Sequence, residues 1–176
     1  GSASGSPDGL FCAPASDDCG LSCSSGSGTC RDATFTCGAR DCTVACAGSS
    51  VESLCRGLTV HGEGAKRLDV TVDAGGGRGN SYSSNNCHNN YWSSYQGHAA
   101  AYEADIRCPT GGDAPCSVAC HGTKVPPSGY PHCAQGGPDD LCAFMTIDAK
   151  QASVTSAMTV SCTGVGDRTC KGMDID

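Results

Sequence analysis

Apolar and polar residues alternate along this chain in short runs of five to eight positions, and the runs fall into two repeating patterns. The first, A, reads C-G-L-S-C from Cys19 and C-T-V-A-C-A-G from Cys42. It returns as V-T-V-D-A-G-G from Val70, C-S-V-A-C-H-G from Cys116 and M-T-V-S-C-T-G from Met158. The second, B, reads C-R-D-A-T-F-T-C from Cys30 and C-R-G-L-T-V-H-G from Cys55, then A-Y-E-A-D-I-R-C from Ala101, C-A-F-M-T-I-D-A from Cys142 and C-K-G-M-D-I-D from Cys170. Side chains along a strand alternate between faces. In A the inward set is therefore Cys42, Val44 and Cys46, then Cys116, Val118 and Cys120. In B it is pairs such as Phe35 with Ala33, Val60 with Leu58, Ile106 with Ala104, Ile147 with Met145 and Ile175 with Met173. No window carries a sustained 3.6-residue apolar period with caps, so no helix is predicted.

A and B alternate five times, and the starts of A are separated by 23, 28, 46 and 42 residues. A repeat of about 25 residues is the signature of stacked coils that bury one continuous core. The predicted fold is all-β: a disulfide-stapled parallel β-solenoid, or β-helix, of about five rungs forming one domain over residues 10–176. Residues 1–9 are expected to be a flexible start, with Gly1-Ser2 as a cloning remnant, and the whole to be cut from a longer protein. The B copy from Cys170 stops at its seventh position, which leaves a strand edge open to end-to-end self-association. The two long intervals reflect insertions at about 77–100 and 123–141, both between A and B. Insertions at the same place on adjacent rungs present their loops on one side of the molecule.

The cysteines vanish from the repeats in matched pairs. Ala74, at the fifth position of A, is followed by Ala101 at the first of B; Gly62 and Ala149 at the end of B are followed by Val70 and Met158 at the start of A. A bridge lost as a unit implies the bonds Cys23–Cys30, Cys46–Cys55, Cys120–Cys142 and Cys162–Cys170 at one corner. At the other corner it implies Cys37–Cys42, Cys108–Cys116 and, for a partial first copy, Cys12–Cys19. Cys87 and Cys133 remain, one in each insertion, and their pairing would tie the loops together. Bridging between equivalent positions of stacked rungs is the alternative connectivity.

Sixteen cysteines in 176 residues, against three phenylalanines and one tryptophan, describe a chain held by bridges more than by an aromatic core. Such density belongs to an oxidising compartment, so a secreted or cell-surface location is expected. A net charge of −7 with scattered Lys and Arg excludes the clustered basic face that nucleic acid requires. No apolar stretch suited to membrane insertion occurs. With the cysteines assigned to bridges no zinc spacing survives, and His88, His98, His121 and His132 lack metal-ligand spacing. Neither a metal nor a cofactor is expected.

The first insertion holds every asparagine, Asn80, Asn85, Asn86, Asn89 and Asn90, together with Tyr82, Tyr91, Trp92 and Tyr95; the second adds Tyr130. Tyr and Trp join flat apolar area to a polar handle, and loops on a rigid scaffold are where recognition concentrates. Tyr82, Asn89, Tyr91, Trp92, Tyr95 and Tyr130 are the candidate ligand-binding residues, for a glycan or an extracellular protein. The same aromatics could instead fold back and pack the loops. Asn85-Asn86-Cys87 is only the rare cysteine form of a glycosylation acceptor.

The outward positions of B place Thr36, His61, Arg107, Asp148 and Asp176 in one column, beside Thr34, Thr59, Asp105, Thr146 and Asp174. Arg107 is expected near Asp148 and Asp105, forming a solvated ion ladder. The catalytic alternative uses the same residues, His61, Arg107, Asp105 and Asp148, as the cleft of a polysaccharide lyase or epimerase. The outward positions of A, Thr43, Thr71, Ser117 and Thr159, give a third possibility, a small-hydroxyl array of the kind that binds ice; Asp73 in the neighbouring column makes it irregular.

The strings A-D-I-R-C-P…C-S-V-A-C-H-G and M-T-V-S-C-T-G…C-K-G-M-D-I-D resemble the cysteine-rich parallel β-helix repeats of extracellular proteins from algae and other unicellular eukaryotes. The resemblance covers most of the chain outside the insertions. It implies a large secreted or surface protein and supplies no catalytic residues. The expected function is adhesion or surface structure, with an enzymatic role the less favoured reading.

Overall fold

The computed structural model describes residues 10–11, 19–24, 30–48, 54–75, 100–111, 113–123, 141–150, 157–164 and 169–176. Among them are eleven strands and no helix. One sheet of six strands is built from β1 (Leu10–Phe11), β3 (Thr34–Thr36), β5 (Thr59–His61), β7 (Asp105–Arg107), β9 (Thr146–Asp148) and β11 (Asp174–Ile175), in that order. The other, of five, runs β2 (Cys19–Ser24), β4 (Asp41–Gly48), β6 (Arg67–Gly75), β8 (Cys116–Thr123) and β10 (Met158–Thr163). Every ladder is parallel, and the chain visits the two sheets alternately. The A copies make the five-stranded sheet and the B copies the six-stranded one.

Alternation decides the core. Phe35, Val60, Ile106 and Ile147 stack in register as the buried centre of the six-stranded sheet. Val44, Val70 and Val118 stack across the other. Leu54, Leu58, Leu141 and Met145 from the turns fill the space beside them. No polar or charged residue is buried among the described residues, so the interior is held by apolar contact and cystine alone.

One register differs from the sequence expectation. Leu68, not Val70, pairs with Cys42 and Cys116, and Val72 pairs with Cys46 and Cys120. The third A copy therefore begins two residues earlier than its glycines suggest. A two-residue slip keeps every side chain on its own face, so alternation alone could not detect it. Leu68, Val70, Val72 and Ala74 are all buried, and the extra length lets β6 cover one more inward position than the V-T-V-D-A string implies.

The turn entering each odd strand from β3 onward is a repeated left-handed device. The first and third positions of B take positive φ in every copy: Cys30 and Asp32, Cys55 and Gly57, Ala101 and Glu103, Cys142 and Phe144, Cys170 and Gly172. Left-handed backbone costs a non-glycine residue about 1–2 kcal/mol, and stacking offsets it. The first position donates its N–H backward, as Ala101 to Leu54 O at 2.8 Å and Cys142 to Ala100 O at 2.8 Å. The third donates forward, as Gly57 to Tyr102 O and Phe144 to Lys171 O, both 2.9 Å. The turns of the third and fourth copies are thus tied to the copies before and after them.

Bridges close the corners. Cys23–Cys30, Cys46–Cys55, Cys120–Cys142 and Cys162–Cys170 join the fifth position of A to the first of B. Cys37–Cys42 and Cys108–Cys116 join the end of B to the start of A. These six pairs are among those named from the matched losses. Cys19 is also disulfide-bonded; Cys12, Cys87 and Cys133 lie outside the described residues.

Candidate functional site

Tyr82, Asn89, Tyr91, Trp92, Tyr95 and Tyr130 lie outside the described residues, but the stems of both insertions do not. The first leaves from Gly75 at the end of β6 and the second from Thr123 at the end of β8, and these two residues are register partners. On the return side, the Cys142 N–H donates to Ala100 O at 2.8 Å. The departing ends of the two insertions therefore stand side by side, and so do their returning ends.

On the outer side of the six-stranded sheet, His61, Arg107 and Asp148 occupy one column, and Asp105 stands in the next between Thr59 and Thr146. Arg107 Nη2 lies 3.4 Å from Asp105 Oδ2, and its Nη1 lies 3.7 Å from Glu63 Oε1. His61 Nδ1 is 3.3 Å from the same Glu63 oxygen. Asp148, expected against Arg107, instead accepts from the Lys150 backbone N–H at 3.1 Å. Asp105 and Glu63 flank the guanidinium, and Asp148 caps the backbone two residues further along the chain.

Glu63, one residue past the end of the B motif, is the centre of this group. A small cleft of about 130 Å³ opens here between Glu63, Arg107, Thr110 and Asp148. A lyase or epimerase would need free positive charge for a sugar carboxylate and a general base beside the reacting carbon. Here one guanidinium faces Asp105 and Glu63, with Asp148 beside them, so carboxylates outnumber the cation in the cleft. The group forms a half-exposed ion network.

The five-stranded sheet presents Thr43, Asp69, Ser117 and Thr159 in one outward column, with Ser22, Ala45, Thr71, Ala119 and Ser161 in the next. The two-residue shift of β6 moves Thr71 out of the hydroxyl column and puts Asp69 into it. A carboxylate interrupts what would otherwise be a flat hydroxyl row. In the third column, His121 Nδ1 lies 2.6 Å from Thr163 Oγ1.

At the corner before β6 and β8 a wider groove, about 470 Å³, runs between Asp41, Lys66, Arg67 and Asp113 over Ala65 and Ala114. Arg67 lies 2.6 Å from Asp69, and that hydrogen bond holds its guanidinium above the ordinary value. The groove is open and its charges are mixed.

A different corner was not anticipated. In the left-handed turns that follow the two insertions, Tyr102 and Phe144 meet edge to face, their ring centres 5.5 Å apart and their planes at 70°. Arg56, from the preceding copy, lies 5.2 Å from the centre of the Tyr102 ring and 3.7 Å from Glu103. Phe144 is 48% exposed, the most exposed large apolar side chain among the described residues. Its signal in the sequence is positional: the third place of B holds Asp32, Gly57, Glu103 and Gly172 in the other copies.

The sulfurs of Cys23, Cys46 and Cys55 lie within 4.8 Å of one another, but all three are oxidised, so they offer no thiolate to a metal. No described cysteine is free, which suggests an oxidising environment. No described helix is long and apolar enough to cross a membrane. No family model, curated protein or solved structure matches the chain.

Proposed function

We propose that the chain is a disulfide-stapled β-solenoid of about five rungs, secreted or displayed at a cell surface, that binds a glycan or an extracellular protein through its two insertions. The observation that carries this reading is the adjacency of the stems, with Gly75 beside Thr123 and Ala100 bonded to Cys142. Loops rooted side by side on neighbouring strands share one surface, and the Tyr, Trp and Asn of the sequence are concentrated in them. A scaffold with an apolar interior and bridged corners holds such loops at small entropic cost on binding. The exposed Met158 and Ile175 on β10 and β11 support end-to-end self-association as part of the same reading.

The test is a glycan array and a cell-binding assay on the intact chain, with Trp92→Ala and Tyr91→Ala as the variants. Each should weaken binding by about tenfold or more with little change in melting temperature. A large fall in melting temperature with binding intact would assign those rings to packing instead. Incubation with acidic polysaccharides separates the enzymatic alternative: product formed by the chain and lost in Arg107→Ala would replace the binding reading with a catalytic one.

A further inference from the structure

The turn that carries Phe144 sets a bulky ring on left-handed backbone, φ 55°, and leaves nearly half of it exposed. Two of the other four copies use glycine at this position, Gly57 and Gly172, the residue the conformation favours. Asp32 and Glu103 hold the same backbone conformation, so what sets Phe144 apart is the exposed apolar ring it places there. The neighbouring copies accommodate the ring. Gly172 leaves room beneath it, since a β-carbon there would lie 2.8 Å from Phe144 Cδ1. Tyr102 supports it edge-on from the other side.

Cations flank the rings. Arg56 lies over Tyr102 on one side and is shared with Glu103 across an exposed 3.7 Å contact. On the other, Lys171 accepts the Phe144 N–H at its carbonyl, and its ammonium is exposed with no ion pair among the described residues. Arg56 and Lys171 stand three copies apart along the stack, about 14 Å at the usual strand spacing. Of the two cations, Lys171 is the one with no carboxylate beside it among the described residues.

We propose that the corner formed by Arg56, Tyr102, Phe144 and Lys171 is a binding site for an acidic polysaccharide. The negative face of an aromatic ring attracts the C–H face of a pyranose, while the flanking cations take carboxylate or sulfate groups on neighbouring sugars. The rings meet at 70°, so the exposed Phe144 ring offers the face and Tyr102 supports it from the side. A protein partner needs roughly 800 Å² on each side, and the other exposed large apolar residues described, Met158 and Ile175, belong to the last two strands. The site deepens the recognition reading by naming a ligand class, and uses residues that the insertions do not contain.

The experiment measures binding of the full chain to immobilised polygalacturonate, dextran sulfate and neutral dextran. Wild type should hold one or both acidic polymers in a salt-sensitive manner and leave neutral dextran unbound; the acidic polymer retained distinguishes carboxylate from sulfate recognition. Phe144→Gly places at this turn the residue two other copies already use, so it should fold as well as wild type and weaken binding by about tenfold or more. Lys171→Ala should weaken it and flatten the salt dependence. Wild-type binding by Phe144→Gly, equal retention on neutral dextran, or no binding to either acidic polymer overturns the site. Trp92→Ala separates the two claims: binding lost there but kept in Phe144→Gly supports the insertions alone, and the reverse supports this corner alone.

Discussion

Phe144 lies directly over Gly172, so close that a β-carbon at residue 172 would come within 2.9 Å of both Cδ1 and Cε1 of the ring. Gly172 also holds φ +67°. Gly172→Ala should therefore destabilise by about 1–2 kcal/mol for the backbone plus the cost of displacing the ring. In urea unfolding, adding Phe144→Gly should recover the second part and not the first. Full recovery would mean that the left-handed turn carries no strain of its own.

Peptide mapping without reduction should recover the six described bonds, whose sequence separations run from 5 to 22 residues. It should also recover Cys12–Cys19 and the long Cys87–Cys133. Finding Cys46 joined to Cys120, two residues that face along the stack, would replace this map with one that staples copy to copy.

Two glycines close together give a contrast. A β-carbon at Gly62 would lie 2.5 Å from the Arg107 carbonyl oxygen and 2.7 Å from Leu68 Cδ2, whereas at Gly64 it would meet nothing within 4 Å. Gly62→Ala should lower stability by about 1–3 kcal/mol. Gly64→Ala should be neutral or raise it by up to about 1 kcal/mol, through the unfolded chain. Equal denaturation midpoints for the two would contradict the close approach at Gly62.

Much of this architecture was legible because cysteine is informative twice, as an inward residue and as half of a bond. The A and B strands, their faces and the local pairs follow from Cys23, Cys30, Cys46, Cys55 and their matched absences. Where cysteine is missing from both ends, as in the copy around Val70, only alternation remained, and alternation cannot distinguish a slip of two residues. The glycines at 75 and 76 then imitated Gly48 and shifted the alignment. The Tyr102–Phe144 corner was hidden for another reason. Its residues occupy turn positions, where face-by-face reasoning gives no direction, and they meet only because successive turns stack. Glu63 gave no signal because it stands one residue past the repeated motif, where the copies share no pattern.

The short reach of the bonds bears on how such a chain is made. Each described pair closes within 22 residues or fewer, so a bond can form once that stretch has left the ribosome and met an oxidant. Eight free cysteines already allow about 105 pairings, and sixteen allow far more. A nascent chain that retires its thiols in order, from the amino end, faces only a few partners at any moment. Correct cross-linking then depends on the order of emergence more than on a search among all thiols, and slow synthesis favours it.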